Sequence, residues 1–307
     1  MIHFIVNPHA RTGQGKLLWE SLKTILDARK ISYKVYVTAH RGHAIELAKV
    51  AAAARENATD PIVIVGGDGS IGEMLTGLPL DTHPIIGCIP AGSGNDFARG
   101  LDRSFDINES LEHILAAKKV TPLDVGELIY DGGKRRCFSV SAGIGYDATV
   151  CDNINHSKTK DFFNLFHMAD FAYTLIGLKT AATYQKVKGS LTVDDKKTYT
   201  FSDFAFLSCH NTPYEGGGWE FAPDATPYDG ELSLCLVAPR TRIKFATGLL
   251  ATKKQAHGSH EGITLTNCKK AVLHLDAPLA VHVDGEVLGK FSDLEFRVLP
   301  AAALLLE

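Results

Sequence analysis

The stretch that decides the fold is Pro61-Ile62-Val63-Ile64-Val65-Gly66-Gly67-Asp68-Gly69-Ser70. Its apolar half reads as an interior parallel strand, and its polar half as the loop that leaves the carboxyl end of that strand, where open α/β sheets bind ligands. Glycines there can take positive φ and let backbone N–H groups approach a phosphate closely. A helix starting at Ser70 adds its positive end. A carboxylate inside such a cradle repels phosphate unless a cation intervenes, so Asp68 points to a metal; the plainer reading is a tight βα turn with a capping Asp.

The same texture runs through the first 120 residues. Strands are predicted at Ile2–Asn7, Tyr33–Thr38, Pro61–Val65 and Pro84–Pro90, and helices at Gly15–Arg29, Gly42–Glu56 and Ser70–Gly77. Alternation of this kind predicts a doubly wound α/β domain. After Val120-Thr121-Pro122 the chain becomes β-rich, with strands expected at 124–130, 136–142, 189–193, 200–209 and 231–237. The expected division is therefore 1–122 and 123–291, the second part β-sandwich-like with a helical insert at about 158–184. Four further strands close the chain, and the segment from about 292 to 307 could rejoin the first domain. The insert holds the aromatic run Phe162 to Tyr173, read as packing against the β-rich domain or as a greasy entry for an acyl chain.

Composition narrows the chemistry. With 307 residues the chain can bury two ordinary cores, and a net charge of −3 with dispersed basic residues argues against a nucleic-acid partner. Six cysteines without a C-x-x-C pair suit a reducing cytoplasm. Met1 leads directly into a strand, and no apolar run reaches the roughly 18 residues of a membrane span, so a cytoplasmic protein, at most peripheral at the inner membrane face, is expected. The 13 histidines show no zinc-site spacing.

Two more loops leave strand ends on the same rim: Asn7-Pro8-His9-Ala10-Arg11-Thr12-Gly13-Gln14-Gly15-Lys16 and Ala91-Gly92-Ser93-Gly94-Asn95-Asp96-Phe97-Ala98-Arg99. A P-loop would need Gly at Ala10 and Ser or Thr at Leu17, a dinucleotide fingerprint fails at Phe97, and a nucleophile elbow around Ser70 fails at Asp68. What remains is a nucleotide site of another design. Near the carboxyl end, Asp284 and Glu286 stand two residues apart around Gly285. On an extended strand both would face one side, as a base and its partner should; as Asp-Gly the same residues read as a hairpin turn.

Asn7-Pro8 with Gly13, Thr38 with Gly42-His43-Ala44, Gly66–Ser70, Pro90–Arg99, Leu123–Gly126, Gly143–Ala148, Ala222–Leu232 and Val283–Glu286, in this order, resemble the diacylglycerol kinase catalytic-domain family of lipid kinases. The resemblance implies ATP phosphates in the Gly66–Ser70 loop, with Asn7, Pro8, Gly13 and Thr38 on the nucleotide side and Ser93, Asn95 and Asp96 assisting. It implies a catalytic Mg²⁺ organised by Asp68 and a structural Mg²⁺ held by Asp229 with the carbonyls of Thr226 and Glu231. Asp124 would support the cleft from the hinge, and Lys16 and Arg99 would contact phosphate or phospholipid unless they are solvated surface residues. The base lies in Asp284-Gly285-Glu286, with Asp284 taken first and Glu286 as auxiliary. Two positions depart from the family: Ser70 stands where it usually has Thr, and Gly72 where it usually has Asn. The implied partner is a lipid at a membrane surface, diacylglycerol first among acceptors; a homodimer is compatible. The alternatives are an NAD kinase-like enzyme and a catalytically silent lipid- or nucleotide-binding regulator.

Overall fold

The structure is a computed structural model that describes residues 1–156, 186–239, 241, 244–245, 247–248 and 260–307. The expected helical insert, with its aromatic run, lies outside the described residues.

Strands β1 (Ile2–Val6), β2 (Tyr33–Val37), β3 (Ile62–Gly66) and β4 (Ile85–Pro90) form a parallel sheet in the order β4-β3-β1-β2. Alternation along them divides their side chains between two cores. Ile5, Ile62 and Ile64 face α3 (His43–Ala53) and α4 (Asp68–Gly77), whose Ala44, Ala48, Ile71 and Met74 are buried. Phe4, Val63 and Val65 face α2 (Gly15–Ala28) and α6 (Ile107–Ala116) through Trp19, Leu22, Leu26 and Leu111. Helices thus cover both faces, as the alternating sequence requires. The short helices α1 (Ala10–Gly13) and α5 (Asp96–Gly100) sit in the loops after β1 and β4.

The β-rich part begins with β5 (Val120–Tyr130), which runs unbroken through the expected boundary at 122/123. It continues through β6 (Lys134–Phe138), β7 (Ser141–Gly145), α7 (Tyr146–His156), β8 (Val187–Val193), β9 (Lys197–Phe204) and β10 (Phe206–His210). The hairpin β11 (Tyr214–Glu215) and β12 (Trp219–Glu220), then β13 (Leu232–Val237), β14 (Ile263–Cys268), β15 (Lys270–Val283) and β16 (Glu286–Leu306) complete it. The strands β5-β6 and β8-β9 branch from the main sheet, and their Leu128, Phe138, Leu191 and Phe204 share one core with Leu207, Leu234, Leu273 and Phe296. Strand β16 pairs antiparallel with β15 at its start and parallel with β4 through Leu304 and Leu305 at its end, so one sheet runs through both parts.

Local readings differ at instructive places. The stretch 136–142, expected as one strand, breaks at Ser139-Val140 into β6 and β7. The pairs of strands expected at 271–283 and 294–306 are single long strands with register shifts, between His274 and Leu279, between Val281 and His282, and between Leu299 and Ala303.

Phe138 is fully buried and stands opposite Gly126 on β5, where a side chain would strike its ring at 2.1 Å. It anchors the core beside the 139–141 break. Phe138→Ala should cost about 3–5 kcal/mol, measured as a lowered urea midpoint; a change under about 1 kcal/mol would show that this ring does not hold the β-rich core.

Candidate active site

The three glycine loops converge as the parallel sheet demands. Asn7 Nδ2 donates to Ser70 Oγ at 3.0 Å, tying the β1 loop to the β3 loop. Gly15 packs so closely on the carbonyl of Asn7 that a Cβ would lie 2.2 Å from it, and Lys16 N donates to Pro8 O. Gly13 turns the loop with φ +89°. Thr38 is buried, with its N–H on Val6 O. Between the β3 and β4 loops, Gly67 and Gly92 meet backbone to backbone: a Cβ on Gly92 would sit 2.6 Å from the Cα of Gly67. Asn95, at φ +53°, closes its loop by accepting from Gly92 N and donating to Gly92 O. Ser93 is exposed on the tip.

Helix α4 starts at Asp68, two residues before the predicted start, and Asp68 does not cap it. Its carboxylate reaches the next loop and accepts from Asp96 N and Phe97 N, both at 3.0 Å, at the start of α5. Asp96 accepts from Gly217 N at 2.7 Å and pairs with Arg99 Nε at 3.4 Å. Arg99 also lies against the rings of Phe105 and Tyr214, so it takes part in the packing around Asp96. Lys16 is exposed on the first turn of α2.

Asp284 and Glu286 do not lie along one extended strand. Asp284 and Gly285 form a two-residue turn between β15 and β16, both with positive φ (46° and 78°), and Val283 pairs with Glu286. The turn sends the two carboxylates apart. Asp284 enters the break between β6 and β7: Oδ1 accepts from Val140 N and Ser141 N, and Oδ2 from Ser139 N and Ser139 Oγ, at 2.9–3.2 Å. Glu286 lies over Gly69, with Oε2 on Arg136 at 2.8 Å and Oε1 on Arg41 Nε at 3.3 Å.

Gly72 acquires a reason. A Cβ there would be 2.5 Å from Asp284 Oδ2 and 3.2 Å from Cys137 O, so this position of α4 faces the Asp284 turn and no side chain fits between them. Glu73, beside it, is buried and accepts from Gly42 N and Ala44 N, fixing the start of α3.

Asp124 is buried and stitches the hinge: Oδ2 accepts from Gly230 N at 2.6 Å, Oδ1 from Ala301 N at 2.7 Å, and its own N–H donates to Pro227 O. It holds the loop carrying Thr226, Asp229 and Glu231. Asp229 itself is exposed and accepts from Glu231 N, and it does not border the cleft.

A cavity of about 170 Å³ opens between the two parts, lined by Asp68, Gly94, Asp96, Ser141, Glu215 and Asp284 among others. Desolvation, and the neighbouring Asp96, push the Asp68 carboxyl up to about 6; desolvation pushes Asp284 up to about 7 against the pull of its backbone donors. Desolvation raises Asp96 and Glu286 as well. Oxygens of Asp68 and Asp96 both approach Gly94, at 3.4 and 3.3 Å from where its Cβ would be. Crowded carboxylates that hold protons above their usual range are the donor set a hard cation fits.

Sequence reading missed Arg136, Arg41 and a buried group behind Asp284. There His282 Nε2 lies 3.2 Å from Asp147 Oδ2 and 3.4 Å from Glu215 Oε1. Burial opposes its charge, but Glu215 and Asp147 outweigh that and lift it to about 9. No spacing announced their meeting, since they come from segments far apart in the chain.

With this geometry in place, comparison with known proteins is informative. Residues 1–128 match the diacylglycerol kinase catalytic domain, and residues 139–307 match the YegS C-terminal NAD kinase beta sandwich-like domain. The chain belongs to the diacylglycerol kinase-like family of lipid kinases. YtlR of Bacillus subtilis is 27% identical over 93% of each chain. A diacylglycerol kinase of Mycobacterium tuberculosis is 26% identical, over 86% of this chain and 82% of its own length. A crystal structure of a diacylglycerol kinase from Bacillus anthracis shares the fold at a TM-score of 0.70 and 22% identity, covering 99% of this chain and 96% of that one.

Two outcomes are expected from this lipid kinase. Gly72→Ala should lower stability by about 1–3 kcal/mol, because Asp284 is held by four bonds and cannot yield; unchanged urea unfolding would show that the turn gives way. The second concerns pH. Asp68, Asp284 and His282 all titrate above their unfolded values, so each stabilises the fold at low pH. The acids lose that contribution as pH rises from about 4 to 7, and His282 loses it from about 6.5 to 9. The urea midpoint of chelator-treated protein should fall between pH 5 and 9, and added Mg²⁺ should restore more of it at pH 8 than at pH 5. A flat profile would contradict this balance.

Proposed function

We propose that this lipid kinase transfers the γ-phosphoryl group of ATP to the hydroxyl of diacylglycerol. The carrying observation is that Glu286, from the turn at the β15–β16 junction, lies directly over Gly69 of the phosphate loop. In this reading the acceptor group and the nucleotide group share one cleft.

Phosphoryl transfer asks mainly for position and charge neutralisation. In this reading the backbone of Gly66–Ser70 and the start of α4 cradle the ATP phosphates, with Asn7 and Ser70 joining the loops that frame them. Asp68 and Asp96 would hold Mg²⁺, which supplies positive charge against the transferring phosphoryl group. A second, structural Mg²⁺ belongs to Asp229 with the Thr226 and Glu231 carbonyls, on the loop that Asp124 pins.

The base is Glu286 rather than Asp284, reversing the order expected from sequence. A carboxylate has about four lone-pair positions. In Asp284 four donors already occupy them, whereas Glu286 accepts from Arg136 and Arg41 only and keeps capacity for the acceptor's hydroxyl proton. Desolvation raises its proton affinity, which suits a base. Asp284 then positions the chain at 139–141 and the face of α4. Among the described residues no helix is long and apolar enough to cross a membrane.

Phosphate transfer from labelled ATP to diacylglycerol, a sphingoid base and NAD, measured side by side, tests the acceptor. Diacylglycerol should be phosphorylated; transfer to NAD or the sphingoid base alone would overturn the assignment. Glu286→Gln should lower kcat by roughly 10²–10⁴ with ATP affinity nearly unchanged. Asp284→Asn should instead lower the unfolding midpoint, since its amide N–H₂ would face backbone donors. A stable, inactive Asp284→Asn beside an active Glu286→Gln would restore the original order.

A further inference from the structure

The buried group behind Asp284 has a donor set unlike the rest of the cleft. Cys151 Sγ from α7, a carboxylate oxygen of Glu215 from β11 and a ring nitrogen of His282 from β15 all lie within 4.8 Å of one another. Glu215 is only 7% exposed; its Oε2 accepts no hydrogen bond and lies 3.6 Å from His210 Nε2. Asp147, one turn before Cys151 on α7, places Oδ2 3.2 Å from His282 Nε2. Space for this group is kept by Gly143, where a Cβ would lie 1.9 Å from Asp147 Oδ2 and 2.6 Å from His282 Nε2.

We propose that Cys151, Glu215 and His282 form a binding site for a zinc-class transition-metal ion. A thiolate, an imidazole and a carboxylate suit zinc, whereas magnesium takes all-oxygen surroundings and is the ion for Asp68 and Asp96. Coordination places positive charge among the Glu215 and Asp147 carboxylates that crowd His282. It also ties three separate elements together. The sequence concealed the site because its ligands stand at 151, 215 and 282, in no recognisable spacing. The inference stands apart from the acceptor assignment, and its readouts involve no phosphoryl transfer.

The test is to strip the full-length protein with chelator, supply excess Mg²⁺ to fill oxygen sites, and titrate with Co²⁺, then Zn²⁺. One Co²⁺ should bind per chain with a thiolate-to-cobalt charge-transfer band, and Zn²⁺ should displace it. Cys151→Ser, a near-isosteric change at a half-buried position, should abolish the band while melting like the wild-type apo-protein; Glu215→Gln should weaken binding at least about tenfold. Zn²⁺ should raise the melting temperature of the wild type and not of Cys151→Ser. A charge-transfer band that persists in Cys151→Ser, or no stoichiometric Co²⁺ binding in excess Mg²⁺, would overturn the site.

Discussion

Strand β16 is the constraint on which the molecule depends. Over 21 residues it pairs with β15, then β5, and finally runs parallel beside β4. One backbone ladder thereby fixes the distance between the glycine loops, which hang from β3 and β4, and the Asp284-Gly285 turn, which leads into β16. Two domains joined by a flexible linker would have to find this arrangement on each encounter with substrate. Here most of that orientation is set when the chain folds. Asp124 reinforces it at the bulge, joining β5 to Ala301 of β16 and to Gly230.

The cleft formed this way is electrostatically unbalanced. Asp68, Asp96, Glu215 and Asp284 border one small cavity, and Arg136 and Arg41 flank Glu286. Different means restrain the excess negative charge: backbone donors around Asp284, the start of α5 at Asp68, and the guanidinium groups at Glu286. In the proposed mechanism these restraints also divide the roles: a carboxylate saturated by donors orients the chain, and one held at its edge by arginines keeps the capacity to accept a proton.

Much of this architecture was legible in the sequence. The alternation of Ile62–Val65 on two faces and the Gly66–Ser70 loop specify a covered parallel strand and its site, because both rest on local periodicity and local backbone freedom. The pair Asp284-Gly285 supported both a turn and a site, and the structure shows the turn. What one sequence could not supply were contacts between distant segments: the four donors at 139–141, Arg136 on Glu286, Asp68 on α5, and His282 between Asp147 and Glu215. The break at Ser139-Val140 escaped the pattern for the same cause, since only the buried Asp284 accounts for three consecutive N–H groups turned away from a strand ladder.

The contact of Gly67 with Gly92 has a consequence for how this site can change. Each residue already lacks a side chain, so neither can shrink to make room for growth at the other. The two loops therefore form a single mutational unit: a variant at either position is met by backbone, and relief requires moving an entire strand end. Variation in nucleotide handling is left to the positions that flank this pair.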